Sequence, residues 1–299
     1  MFVIKFRKLF FIFSTLIVVG SIIAMLVWGF NFGIDFKGGS VLEVKYNGER
    51  PSLIETRKAI DALSLGNYIL QPTGDFGYVI KTKEIDEKTK NSLLQTLSFG
   101  GVKSLKIEQF NSIGPVVGNE LKNKALVAIA IVILGIVLFV TFAFRKVSRP
   151  VSSWKYGLAT IIALAHDVII PTGVFIVWTH FYGGEIDLLF VTAILAILGY
   201  SVHDTIVVFD RVRENLRINH DGGKKETFDI TVGKSVTQTF GRSINTSLTI
   251  FLVLVVLYFV GATATKDFAF ILLVGIIVGT YSSIFIASPL LVWFEGRQR

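Results

Sequence analysis

Six apolar runs, each about as long as a bilayer core is thick, constrain this chain more than any other feature. They are Leu9 to Phe30, Ala125 to Phe144, Leu158 to Trp178, Ile186 to Phe209, Ile244 to Val260 and Phe268 to Phe294. A hydrocarbon core of roughly 30 Å takes about twenty helical residues. Backbone groups inside it find no water, so each run is expected to pair its own N–H and C=O groups as an α-helix. Composition agrees, with 52% hydrophobic and only 17% charged residues among 299. The net charge of +8 then belongs to the flanks of apolar runs and orients helices, so nucleic-acid binding is discounted. With no cysteine, disulfides, thiolate metal sites and thiol nucleophiles are excluded.

Lys5, Arg7 and Lys8 precede the first run. A signal peptide would carry an apolar region of about 7 to 15 residues and a small-residue cleavage site. Val27, Trp28, Gly29 and Phe30 offer no such site, so an uncleaved first helix is expected, with its N-terminus in the cytoplasm. Alternating orientation places Arg145, Lys146 and Arg149, the segment from Arg211 to Lys234, and Arg297 and Arg299 on the cytoplasmic side. The outer loop after Trp178 has no Lys or Arg and the one after Gly261 only Lys266, which fits the excess of positive charge on cytoplasmic loops. The expected organisation is a cytoplasmic N-terminus and first membrane helix over 1–30, an extracytoplasmic domain over 31–124, and a five-helix membrane domain over 125–299. That last part carries a cytoplasmic loop over 210–240 and a cytoplasmic C-terminus.

The polar segment from Asn31 to Lys124 divides into short elements. Ser40 to Tyr46 alternates as a strand does. Pro51 opens a helix to Leu65 with Ile54, Ile60 and Leu63 on one face. Strands follow at Tyr68 to Gln71 and Tyr78 to Lys81, with Pro72 and Gly74 as turn signals. Asp86 caps a second helix carrying Leu93, Leu94 and Leu97. Gly100 and Gly101 end it, and Val102 to Phe110 forms a last strand. The order β-α-β-β-α-β is that of an α+β ferredoxin-like domain, a fold that by itself names no function.

Chemistry concentrates in the stretch Leu198 to Asn215, LGYSVHDTIVVFDRVREN, where His203 and Asp204 interrupt an apolar run. A carboxylate inside a membrane helix costs about 2.5 to 3.5 kcal/mol on insertion scales, so it is expected to face a protein interior or a water-filled path. Arg242 stands in QTFGRSINTS just before the fifth run. With that helix starting near Lys234, Arg242 is roughly 12 Å in, and Asp204 is roughly 10 Å before Arg211. The two opposite charges are therefore expected at matching depth on consecutive helices. One reading is a proton site, in which changing separation loads or releases a proton. The other is a static ion pair, or an Arg242 that snorkels to the interface.

His166 and Asp167 fall mid-helix with Pro171 four residues on, where a freed backbone carbonyl and a kink are expected. They, together with His203 and Asn245, are candidates either for a proton path or for polar contacts that hold helices together. His203 points about 100° away from Asp204 on a helix and so belongs to another contact. Gly33, Gly38 and Gly39 mark the exit of the first helix and a turn, without the strand, Lys-Ser/Thr pair and helix of a phosphate-binding loop. Gly275 and Gly279 make a small-residue packing step. The segment Arg211 to Lys234 reads as a solvated, partly helical connection. No nucleophile and base constellation and no metal-ligand spacing appears, so no enzyme activity, cofactor or metal is expected.

With these residues in view, the chain resembles the SecF group of protein-export membrane subunits, in the Sec branch of the resistance-nodulation-division superfamily. NFGIDFKGGS is similar to that family's segment after the first helix, IGPVVGNEL to the start of its second, and AHD at 165–167 to its third-helix pair. LGYSVHDTIVVFDRVREN and QTFGRSINTS are the most specific matches. The resemblance implies that Asp204 and Arg242 are the proton-linked pair, although position 203 is commonly Asn in the family and is His here. It implies an accessory subunit in the bacterial inner membrane, working with SecD beside the SecYEG channel, with YajC as a further partner. Such a subunit uses the protonmotive force to promote export of precursor polypeptides. Superfamily transporters join two related six-helix halves and this chain supplies one, so SecD is the expected complement. The rival readings are one half of a proton-driven exporter of small molecules or lipids, and a passive scaffold of the translocase.

Overall fold

The computed structural model describes residues 2–145, 152–223 and 226–296. Lys146, Arg149, Arg297 and Arg299 lie outside them. The chain forms two compact units, one from Met1–Asn31 with Val127–Arg299, the other Phe32–Leu126.

A short helix α1 (Phe2–Lys5) leads into α2 (Arg7–Trp28). In the second unit, a turn of helix α3 (Ile34–Lys37), not anticipated from sequence, precedes β1 (Gly39–Tyr46), α4 (Leu53–Asp61), β2 (Tyr68–Thr73), β3 (Gly77–Thr82), α5 (Glu87–Leu97) and β4 (Leu105–Ile113). The strands form one sheet in the order β2-β3-β1-β4, with every pair antiparallel. This is the expected α+β ferredoxin-like domain. Period-two alternation aims Leu42, Val44 and Tyr46 of β1 inward, where they meet Tyr78 and Ile80 of β3, Ile60 of α4, and Leu93 and Leu97 of α5, all buried. The Tyr46 hydroxyl donates to the Leu97 carbonyl at 3.0 Å, and burial, reinforced by Tyr78, pushes its pKa up to about 12.

Local boundaries differ from the sequence reading for identifiable reasons. Helix α4 starts at Leu53 because Ser52 is its N-cap, closing a capping box with Glu55; Pro51 stands before the cap. Ile54 is 81% exposed, and Thr56 takes the inward position beside Ile60. Strand β4 starts three residues late because positive φ continues through Phe99, Gly100 and Gly101, which leaves Val102 outside the ladder. Pro72 lies within β2, an edge strand, where a missing N–H is tolerated. Gly38 (φ +77) and Gly39 (φ +133) have the expected left-handed backbone, and a Cβ on Gly38 would lie 2.7 Å from the Pro115 Cα. Gly33 differs: with φ −74 it is the N-cap position of α3.

The remaining chain is α6 (Pro115–Ala143), α7 (Ser153–Tyr182), α8 (Leu188–Asp221), α9 (Phe228–Val260), α10 (Thr263–Ser282), a π-helical turn (Ser283–Ala287) and α11 (Ser288–Gly296). With the last three as one span, six helices are long and apolar enough to cross a membrane. Helices α7, α8 and the last span form the inside of the bundle, more than half buried within it, whereas α2, α6 and α9 bury less than a fifth.

Where a loop was expected over 210–240, α8 runs on to Asp221 and α9 begins at Phe228. The two extensions pack as a hairpin rather than a solvated connection. Val212, Phe228, Val232 and Val236 are buried, and Asn215 Nδ2 donates to Ser235 Oγ and Gln238 Oε1, each at 2.8 Å. On the neighbouring helix, buried Lys155 donates from Nζ to the Phe294 carbonyl at 2.9 Å, placing a cation at the negative end of α11.

The two caps of the second unit depend on pH. Hydrogen bonds from the Thr89 side chain and backbone hold the Asp86 carboxyl below the usual carboxylate range, and bonds from Ser52 do the same for Glu55. A depressed folded pKa gives stability that is present above the unfolded value, about 3.9 for Asp, and lost as pH falls through the folded one. Amide hydrogen exchange, corrected for intrinsic rates, should show the first turn of α5 losing protection below about pH 4. In Asp86→Asn, which still caps but does not titrate, that loss should vanish.

Candidate functional site

A ladder of hydroxyls runs through the centre of the bundle, and both membrane carboxylates hang from it. Asp204 on α8 is 5% exposed. Its Oδ1 accepts a hydrogen bond of 2.6 Å from Ser243 Oγ on α9, and its Oδ2 is buried with no hydrogen-bond partner among the described residues. On the same turn Thr205 Oγ1 and Ser283 Oγ are 2.9 Å apart. One turn earlier Tyr200 pairs with Ser247 at 2.5 Å, and Ser247 with Thr280 at 2.6 Å. These bonds join α8 to α9 and to the last span.

Asp167 on α7 is fully buried. Its Oδ1 is 2.8 Å from His166 Nδ1, and its Oδ2 accepts from Ser282 Oγ at 2.6 Å and from Ser201 Oγ. Pro171 has no N–H to return to the Asp167 carbonyl four residues before it. His166 is 6% exposed, and its ring lies parallel to Tyr281, centroids 6.1 Å apart.

Packing is close enough for short side chains to meet. A Cβ on Gly275 would lie 2.2 Å from Ile197 Cδ1, and one on Gly279 would lie 3.1 Å from Ser201 Cβ. The Gly275/Gly279 step is therefore the seat of α8, with Ser201 held against the last span.

The structure brings together Asp204, Asp167 and His166 but not the whole expected set. Arg242, His203 and Asn245 are exposed on the bundle surface. Arg242 makes no ion pair with Asp204; it lines a polar cavity of about 270 Å³ with Val207, Asp210, Arg211, Glu214, Gln238 and Thr239. The residue of QTFGRSINTS that meets Asp204 is Ser243. Serines 243 and 247 lie four apart and share the inward face of α9, while 242 is turned about 120° from its centre and 245 lies about opposite. Sequence reasoning also missed Ser201, Ser282 and Ser283. The signal was present in the spacing, since Ser201 precedes Asp204 by three positions on one apolar helix.

Comparison with known proteins decides the family. The profile "Protein export membrane protein SecD/SecF, C-terminal" matches residues 81–297, and the "SecD/SecF GG Motif" matches residues 23–48, across Gly38 and Gly39. The chain belongs to the SecD/SecF family. Among its curated relatives, the protein translocase subunit SecF of Thermobaculum terrenum is 42% identical, over 99% of this chain and 94% of that one. That of Anaerolinea thermophila is 35% identical, over 98% and 94%. A crystal structure of SecDF, a translocon-associated membrane protein from Thermus thermophilus, superposes with a TM-score of 0.81 at 28% identity. It covers 98% of this chain and 38% of that longer one. A SecDF structure in a super-membrane-facing form gives a TM-score of 0.65 over the same shares. The chain is thus a multi-pass membrane protein of the SecD/SecF family.

In this family member, Ser243→Ala would leave both Asp204 oxygens without a donor. Leaving a buried polar group unsatisfied costs about 1 to 3 kcal/mol, and thermal unfolding in detergent should show a loss of that size. Ser243→Thr, which keeps the hydroxyl, should restore most of it.

Proposed function

We propose that this chain is an accessory subunit of the Sec protein translocase that uses the protonmotive force to promote export of precursor polypeptides. The observation that carries this reading is the Asp204 carboxyl, buried in a membrane helix with one donor on Oδ1 and an unpartnered Oδ2. A buried carboxylate oxygen without a donor is a position that gains from taking up a proton. Arg242 stands one residue from the Ser243 that holds Asp204 and faces a polar cavity that opens at the bundle surface. A shift of α9 against α8 would change the distance between the two charges, so the pair works as a gated site rather than a fixed ion pair.

That the match takes up only 38% of the SecDF chain supports SecD as the complementary six-helix half. The sparsely buried faces of α2, α6 and α9 supply surface for it. SecYEG, YajC and the precursor are the further partners this role entails. Both termini are assigned to the cytoplasm of the bacterial inner membrane and the ferredoxin-like domain to the outside, where the precursor emerges. Energy for the cycle comes from the gradient, about 2.3 kcal/mol per charge per 100 mV. No covalent chemistry is assigned to the chain, and no cofactor.

The test is precursor translocation in inverted membrane vesicles with and without an imposed proton gradient, comparing the native chain with Asp204→Asn at matched abundance. The gradient-dependent fraction should fall at least tenfold in the variant while co-purification with SecD is retained. An unchanged response would make the subunit a passive scaffold.

A further inference from the structure

Asp204 is not the only carboxyl the bundle can protonate. We propose that His166 and Asp167 form a second proton-holding site, joined to Asp204 through Ser201, Ser282 and Ser283. The part this gives the pair in export rests on the proton-driven reading above; its capacity to hold a proton does not.

The hydrogen count at the pair shows how. With Asp167 ionised, its Oδ1 accepts from His166 Nδ1–H and its Oδ2 from the Ser201 and Ser282 hydroxyls. The other ring nitrogen of His166, Nε2, is then a buried lone pair with no hydrogen-bond partner among the described residues. The Ser282 hydroxyl has a second acceptor within reach, the Gly279 carbonyl at 3.0 Å. A proton added to Asp167 Oδ2 donates to Ser282 Oγ, and the Ser282 hydrogen turns to Gly279. Asp167, Ser201 and Ser282 all stay paired and no helix has to move. A proton added instead to His166 Nε2 leaves an imidazolium against the carboxylate. The pair therefore has two places for one more proton, and its surroundings are satisfied with or without it at Oδ2. A polar contact serving only to pack helices needs neither the spare acceptor nor the vacant nitrogen.

The groups facing the pair come from three helices. Tyr281 on α10 covers the imidazole face, and its hydroxyl accepts from Ser14 of α2 at 3.3 Å. From α2, Ser21 lies against Gly173, two turns along α7 from His166. From α8, Ser201 touches Asp167, and Asp204 follows it by one turn. Among the described residues, Tyr281 and Asp204 are thus the ionisable neighbours.

The link to Asp204 runs through two consecutive serines. Ser282 ends α10 on Asp167, and Ser283 begins the π-helical turn. Ser283 pairs with Thr205, next to Asp204, and reaches the Ser201 carbonyl at 3.3 Å. At the far end of the turn the Ser288 hydroxyl donates from Oγ to the Ser283 carbonyl five positions back, at 3.0 Å. Single π turns recur at functional sites because they change the register of one helix face against its neighbours. Here the register in question sets Ser282 on one carboxyl and Ser283 beside the other. Proton uptake at Asp167 re-aims Ser282 at the start of the turn, one residue from the serine that bonds Thr205 and the Ser201 carbonyl on the α8 segment that carries Asp204.

The deciding experiment is pH-difference infrared spectroscopy on the full chain in proteoliposomes, in the carboxylic C=O region, with translocation assayed in parallel. The native protein should give two buried-carboxyl bands, one lost in Asp204→Asn and the other in Asp167→Asn. Ser282→Ala, which leaves both carboxyls, should shift the second band and move the pH profile of gradient-driven translocation without abolishing it. An Asp167→Asn spectrum identical to native overturns the proposal. If that variant fails to fold, a Ser282→Ala spectrum with no shifted band overturns it equally. Translocation separates the two readings. Asp204→Asn losing its gradient response while Asp167→Asn keeps both bands and response sinks only the second site. Both variants retaining the response, with two bands still assigned, sinks the proton-driven reading and leaves the second site standing.

Discussion

A carboxyl buried among membrane helices takes its hydrogen bonds from the neighbouring helices, and the membrane unit of this protein is arranged around that requirement. Asp167 takes donors from α8 and the last span, and Asp204 takes one from α9. Each bond fixes both the rotation and the height of the helix that supplies it, since a hydroxyl reaches only about 3 Å. A serine side chain is also too short to bridge ordinary helix spacing. The ladder therefore exists only where the backbones approach closely, and glycines at 275 and 279 permit that approach. Charge, hydroxyl and glycine are three parts of one device.

Polar bonds of this kind are cheap to exchange, because one hydroxyl can serve two acceptors on the same face. Ser282 and Ser283 each have such a choice. Leucine packing at the same positions would hold the helices as firmly but in a single arrangement. The apolar contacts of Val208, Val212, Val232 and Leu291, which have no alternatives of this sort, keep one end of the bundle fixed. Stability and changeability are thus placed in different layers of the same helices.

The sequence made the large-scale plan legible because its signals are long. Twenty apolar residues announce a membrane helix, and two glycines with an N-capping Asp announce the ends of α5. It was less informative where one residue of rotation matters. The stretch QTFGRSINTS contains the inward and outward faces of α9 side by side. A formal charge draws attention to Arg242, yet the hydroxyl next to it makes the contact. Successive residues on a helix differ by 100°, and no local pattern in a mostly apolar segment says which of them faces in. The connection over 210–240 differs from its sequence reading for a related reason: its charges read as solvation, whereas Asn215 pairs with Ser235 and Asn219 with Thr231 across a hairpin, which lets the helices continue.

The bond from Lys155 to the Phe294 carbonyl spans 139 positions of chain, and this separation has a consequence for synthesis. At about 5 to 20 residues per second, the cation emerges roughly 7 to 28 seconds before its acceptor. For that interval the ammonium in the first turn of α7 has no carbonyl to receive it and stays in water. Settling of the bundle is thereby timed to the arrival of its last helix. A chain released early would display that unburied lysine to the cell's quality control.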